Sequence, residues 1–215
     1  MNISFLQFLL SLMLLTIVFL HLTKKNFAAA MAYSVQSLVI VVVLLGTFIE
    51  EGNIYLFFIA WLMLIVKVIL APVFFSRLIK KHKLIFSVNT YLNMPLTLII
   101  IAVLTFIAYS ENFAPLTGLV PANQTLLSFA LVSIFLSLFL IINRKGALSQ
   151  IIGILSLENS ILAFVIFAGL EQSPGLQAGV IFNIFVWIII ATTFMAMIYR
   201  HFGSLDVTSM KSLKD

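Results

Sequence analysis

The chain has 215 residues, of which 63% are hydrophobic and 9% charged, and its formal net charge is +5. A soluble domain carries about 25% charged residues, so these figures exclude both a soluble globule and a disordered chain. The absence of cysteine excludes disulfides, thiolate zinc sites and cysteine-ligated iron–sulfur clusters within the chain. The positive balance reads as basic loops of a membrane protein and not as a nucleic-acid surface. The expected fold is an all-α integral membrane domain.

The first span covers about 3–22. It has neither a basic segment before it nor a small-residue cleavage site after it, and it reads as a retained helix. Thr23, Lys24, Lys25 and Asn26 break the apolar run. The second span covers about 27–49 and is closed by Glu50, Glu51, Gly52 and Asn53. The third covers about 54–76 and runs into the basic segment from Arg77 to Lys83. The fourth covers about 92–109, with Pro95 in its path as an expected kink. A loop bearing Pro115, Gly118 and Pro121 follows over 110–124. The fifth span covers about 125–142 and stops at Asn143, Arg144, Lys145 and Gly146. The sixth covers about 147–170 and the seventh about 178–199. Each is long enough for a hydrocarbon core of about 30 Å at about 1.5 Å per residue. Residues 1–200 thus form one seven-helix membrane domain, followed by a polar tail, 201–215.

The basic residues set the orientation. Lys24 and Lys25 lie after the first span, Arg77, Lys80, Lys81 and Lys83 after the third, Arg144 and Lys145 after the fifth, and Arg200, Lys211 and Lys214 after the seventh. The remaining connections hold Glu50, Glu51, Glu111 and Glu171 but no basic residue. Positive residues mark the cytoplasmic side. The N-terminus is therefore expected outside and the C-terminus in the cytoplasm. The tail, with Leu205, Val207, Met210 and Leu213 as apolar anchors, is expected to lie along the cytoplasmic surface.

Of twelve basic and seven acidic residues, only Lys67 and Glu158 fall within a span. A charge at a helix centre costs at least about 2.5–3.5 kcal/mol on insertion, which makes each a candidate functional residue. Lys67 lies about 15 Å along the third helix from Arg77, Glu158 about 16 Å along the sixth from Ala147, and Gln36 about 14 Å along the second from Phe27. All three distances start from the basic side. A proton relay at this level and a static ion pair that fixes packing both fit, and so does a Lys67 that snorkels or faces another subunit. In the sixth helix Gly153, Ser156, Ser160 and Ala163 recur at spacings of three and four, a small-residue stripe for close helix packing. At about 100° per residue Glu158 projects away from it. Asn159 in that helix and Asn183 in the seventh are supporting polar groups.

Other chemistries find no residues. His21, His82 and His201 lie near the basic ends of helices and do not stack within spans, so a bis-histidine haem core is not expected. The seventh helix has no lysine for a retinal Schiff base. There is no Walker loop and no HExxH.

Four segments resemble the hydrogenase-4 component E family of membrane subunits. They are Asn143-Arg144-Lys145-Gly146-Ala147-Leu148-Ser149-Gln150-Ile151-Ile152-Gly153 with Leu157-Glu158-Asn159, then Gln36-Ser37-Leu38-Val39, then Lys67-Val68-Ile69-Leu70-Ala71-Pro72. The last is His201-Phe202-Gly203-Ser204-Leu205-Asp206-Val207 with Lys211-Ser212-Leu213-Lys214. Residues 125–199 are similar to the three-helix K-type subunit of respiratory complex I. The resemblance implies a non-catalytic subunit of a membrane-bound nickel–iron hydrogenase or formate hydrogenlyase-type complex in the inner membrane. Its expected partners are antiporter-like and complex I-like membrane subunits and a hydrophilic hydrogenase arm. No cofactor is expected in this chain, since the nickel–iron and iron–sulfur centres would belong to partner subunits. Glu158 and Lys67 are then the expected proton-transfer residues, with Gln36 as a hydrogen-bond bridge. The third-helix carboxylate typical of the K-type subunit has no counterpart here, Asn183 being the nearest polar group. A non-conducting scaffold that docks antiporter-like subunits is the alternative, and a stand-alone small transporter a third.

Overall fold

In the computed structural model the described residues are 2–81, 89–168 and the single positions 185, 189, 192, 193, 196 and 200. They form helices with no strand among them. The expected seventh span, the tail, Asn183, Glu171, His82 and His201 lie outside the described residues, apart from those single helical positions in the seventh span.

Helix α1 is Ile3–Leu22 and α2 is Asn26–Glu51. The Asn2 side chain caps α1 by accepting the Ser4 N–H at 3.0 Å. Helix α2 ends at Gly52, whose φ of +68° places it in the left-handed region that glycine enters without a Cβ penalty. Asn53 then caps α3, Ile54–Met63, by accepting the Tyr55 N–H at 3.1 Å. The same span continues as a π-helical stretch, Leu64–Leu70, and as α4, Ala71–Lys81.

Pro72 accounts for that irregular turn. Proline has no N–H to give and its ring crowds the carbonyl four residues back, which here is Val68. The Ala71 N–H reaches back five residues to the Val66 carbonyl. The Val68 carbonyl instead accepts the Ser34 hydroxyl of α2 at 2.9 Å. A neighbouring side chain re-satisfies the backbone group that proline releases, as broken helices in an apolar medium require.

Helix α5 is Met94–Ala108. Pro95 does not kink it. The helix begins one residue earlier, so Pro95 falls in the first turn, where its missing N–H has no intrahelical acceptor to lose. Asn93 caps this end by accepting the Leu96 N–H at 3.1 Å. The segment expected to be a plain loop over 110–124 is built of short helical turns. These are a 3₁₀ turn Glu111–Phe113, the short helix α6, Ala114–Thr117, and a second 3₁₀ turn Pro121–Asn123. Helices α7, Gln124–Asn143, and α8, Ala147–Phe167, follow.

Among the described residues five helices are long and apolar enough to cross a membrane: Ile3–Leu22, Asn26–Glu51, Ile54–Arg77, Pro121–Asn143 and Ala147–Phe167. A sixth span arises if Met94–Ala108 and Glu111–Thr117, bent by 56°, act as one. Helix α2 is the central strut. It touches α1, α3, the π-helical stretch, α4 and α8, and 67% of its most apolar window is buried, against 28% for α1.

Three of the connections rich in basic residues meet at one end. The buried Arg144 guanidinium donates to the Thr23 carbonyl at 3.1 Å. Thr90 and Arg144 form an antiparallel bridge, and the Tyr91 N–H donates to the Asn143 carbonyl at 2.9 Å. At the opposite end the Asn123 amide donates to the Phe167 carbonyl at 3.0 Å.

Candidate functional site

The site lies where α2, the π-helical stretch and α8 meet. Lys67 sits inside the irregular turn and is fully buried. A π-turn widens the helix by one residue and commonly marks a functional position. Lys67 Nζ donates to Asn159 Oδ1 of α8 at 2.8 Å, and the Asn159 amide donates to Ser37 Oγ of α2 at 3.0 Å. An asparagine offers both an acceptor and a donor. Asn159 therefore receives the ammonium on one side and is held in orientation by Ser37 on the other.

Glu158 precedes Asn159 and is half-buried. It is the carboxylate whose charge acts on Lys67, and Lys67 acts on it in turn. No hydrogen bond joins the two. Glu158 Oε1 is enclosed without a hydrogen-bond partner. The two charges expected from the sequence thus share one site, as electrostatic neighbours held apart and not as a closed ion pair.

Gln36 does not form the expected bridge. It is fully buried on α2, but neither Nε2 nor Oε1 has a partner. Equal depth gave no information on direction around the helix. Ser37, one residue on and about 100° away, faces α8 and takes the connecting role together with Asn159. The fourth expected polar residue, Asn183, lies outside the described residues.

One participant was invisible to the sequence reading. Tyr33 is fully buried one turn before Ser37, and its hydroxyl has no partner. Four residues before Ser37, it lies on the same side of α2. Its ring meets Phe75 of α4 edge-on, with centroids 6.5 Å apart. The i, i+4 spacing of Tyr33 and Ser37 was the available signal.

The far side of α8 is a packing face. Ser137 of α7 lies 3.2 Å from both Ser156 and Ser160. A Cβ at Gly153 would come within 2.9 Å of Ile141 Cγ1. The small-residue stripe is thus the α7–α8 seam, and Glu158 stands clear of it.

At the end of the bundle Arg144 closes a second polar cluster. Burial lowers its guanidinium to about 10, which leaves it a cation at neutral pH. Lys145 Nζ sits 4.9 Å above the Tyr91 ring centroid. Nearby, His21 Nε2 is 3.0 Å from the Leu136 carbonyl, and its ring stacks on Phe139. Among the described residues no three His, Cys, Asp or Glu side chains gather where a metal would be held.

Comparisons with protein-family models, with curated proteins and with solved structures return no match to the chain.

Proposed function

We propose that the chain is a non-catalytic membrane subunit of a proton-translocating, complex I-like redox complex, and that Lys67 and Glu158 pass protons within the membrane. One observation carries the reading. A fully buried lysine in an interrupted membrane helix faces a carboxylate that it does not bond, and that carboxylate keeps an enclosed oxygen unpaired. The four sequence segments that resemble the hydrogenase-4 component E family support the kind of complex. Seven spans, an external N-terminus, residence in the inner membrane and antiporter-like neighbours belong to the same proposal.

The chemistry follows from the separation. Desolvation favours neutral Lys67 and neutral Glu158, whereas close approach favours the charged pair. A small change in their distance therefore moves the balance between the two protonation states. A proton entering from a neighbouring subunit is taken up by one group and released from the other as the distance alternates. Asn159 does not carry the proton, since an amide neither gains nor loses one at neutral pH. It positions the ammonium.

The scaffold reading has one observation in its favour: Lys67 is already anchored by Asn159 and Ser37. Glu158→Gln separates the two. The substitution keeps shape and most hydrogen bonding but removes titration. A relay predicts an assembled complex whose coupled proton movement into membrane vesicles falls at least tenfold. Full proton movement in the assembled variant would end the relay reading. Loss of assembly would favour the scaffold.

A further inference from the structure

We propose that the outer stripe of the third span, which ends on Arg77 and Lys80, is a binding site for an anionic phospholipid of the leaflet at the basic end. The inference is independent of the proton-transfer reading and rests only on the span Ile54–Arg77 crossing a membrane. Helix α4 has two unlike faces. Ala71, Phe75 and Ile79 are buried, in one apolar cluster with Ala29, Ala30 and Tyr33 of α2. Val73, Phe74, Arg77 and Lys80 are exposed. Val73, Arg77 and Lys80 follow one another at spacings of four and three, so they share one side of the helix. Ile65 and Ile69 are exposed as well and carry the stripe back towards the middle of the span.

Charge identifies the occupant. The apolar span closes at Arg77, which sets that residue at headgroup level, with Lys80 about 4.5 Å further along the axis. Among the described residues the carboxylates are Glu50, Glu51, Glu111 and Glu158. The first three lie at the opposite end and the fourth in mid-span, so no described carboxylate at the basic end can neutralise the two cations. Other basic side chains of this end are taken up within the protein: Arg144 by the Thr23 carbonyl and Lys145 by the Tyr91 ring. A guanidinium with an ammonium one turn away suits a phosphodiester, the first as a planar fork and the second as a point charge. The apolar stripe selects the source of that phosphate. A free anion gains nothing from Ile69, Val73 and Phe74, whereas a phospholipid lays an acyl chain on them as its headgroup meets the cations.

A tryptophan probe beside the cations tests the site. In the full chain, Trp61→Phe and Trp187→Phe remove the native fluorophores, and Phe74→Trp places one on the stripe, a turn before Arg77. The protein is reconstituted into vesicles of equal parts phosphatidylglycerol and phosphatidylcholine, with bromine on the acyl chains of one lipid or the other. Quenching by each brominated lipid gives their relative occupancy at the probe. Phosphatidylglycerol should be preferred at least about fivefold, the worth of a single cation near a lipid surface. Arg77→Gln with Lys80→Gln should abolish the preference; both residues are exposed, so the fold is spared. Ile142→Trp is the control probe: it is exposed on α7 near the same end of the bundle, where Arg144 and Lys145 are already engaged. It should show a smaller preference, unaltered by the two glutamine substitutions. Equal occupancy by the two lipids at Phe74→Trp, or a preference that survives loss of both cations, would overturn the site. An equal preference at Ile142→Trp would do the same, since it would show the general surface potential of a basic protein and not a local site.

Discussion

At the basic end of the chain most polar groups find each other, the enclosed His21 Nδ1 being the exception. Arg144 reaches the Thr23 carbonyl, Asn143 accepts the Leu92 N–H and donates to Thr97, and Gln150 donates to the Arg144 carbonyl. About 15 Å along the same helices, around Lys67, the pattern reverses. Gln36, Tyr33 and Glu158 all keep enclosed polar atoms without partners. Both clusters are buried and both draw on three or more segments. The difference is in what they have to do. A fully connected network rigidifies the ends of helices, and the low dielectric that strengthens it makes an incomplete network costly. Under the proposed proton transfer, the incomplete one is kept for a change of protonation state.

The sharpest way to break this comparison is to remove a charge from the incomplete cluster. Lys67→Met leaves Asn159 Oδ1 without its charged donor and Glu158 without a nearby cation, and should destabilise the full chain in detergent by about 3 kcal/mol, the upper end for a hydrogen bond to a charged group. Adding Glu158→Gln should return part of that loss, because neither charge is then left alone. Thermal unfolding of all four members of the cycle is the measurement. Strict additivity would show that the two groups do not act on each other and would return Lys67 to a purely structural tie with Asn159.

The better-connected cluster should behave differently. Arg144→Ala removes a charged hydrogen bond to the Thr23 carbonyl and leaves that carbonyl short of its donor. The expected cost is about 1.5–3 kcal/mol, with proton movement per assembled complex unchanged. Arg144→Lys should recover only part, since an ammonium lacks the planar fork of the guanidinium. A large fall in proton movement per assembled complex in Arg144→Ala would erase the distinction drawn between the clusters.

How much of this was legible beforehand divides along the same line. The long apolar runs located α1, α2, α7, α8 and the α3–α4 span within a few residues, because a bilayer demands continuous hydrophobicity. The grouping of Lys24–Lys25, Arg77 onward and Arg144–Lys145 was legible for the same reason. Lys67 and Glu158 stood out as charges in apolar sequence. Their connection through Asn159 and Ser37 did not, because residue spacing gives depth along a helix and not which neighbour it faces. Gln36 was chosen by depth and faces elsewhere. Tyr33 was not singled out from the apolar run of α2. Pro95 was misjudged because its effect depends on where the helix begins: in the first turn it starts a helix, and further in it bends one. Pro72 was noticed only as part of a motif, although its missing N–H is what shapes the turn that holds Lys67.

That turn gives the smallest and most specific effect. Ser34 donates to the Val68 carbonyl, the group left without an α-helical donor by Pro72. Ser34→Ala should cost about 1 kcal/mol, the usual net worth of a buried hydrogen bond plus the unmet carbonyl. Pro72→Ala supplies a backbone N–H four residues beyond Val68 and lets the turn tighten towards ordinary α-helix. In that background Ser34→Ala should cost close to nothing, since the carbonyl already has its donor. The tightening also shifts Lys67 around the helix axis and away from Asn159, so Pro72→Ala should reduce proton movement even where it leaves unfolding temperature unchanged. An equal Ser34→Ala penalty with and without Pro72 would show that the hydroxyl is not replacing the missing N–H. The interrupted turn would then owe its shape to something other than the proline, and the opening at Lys67 would have to be attributed to the packing of α2 against it.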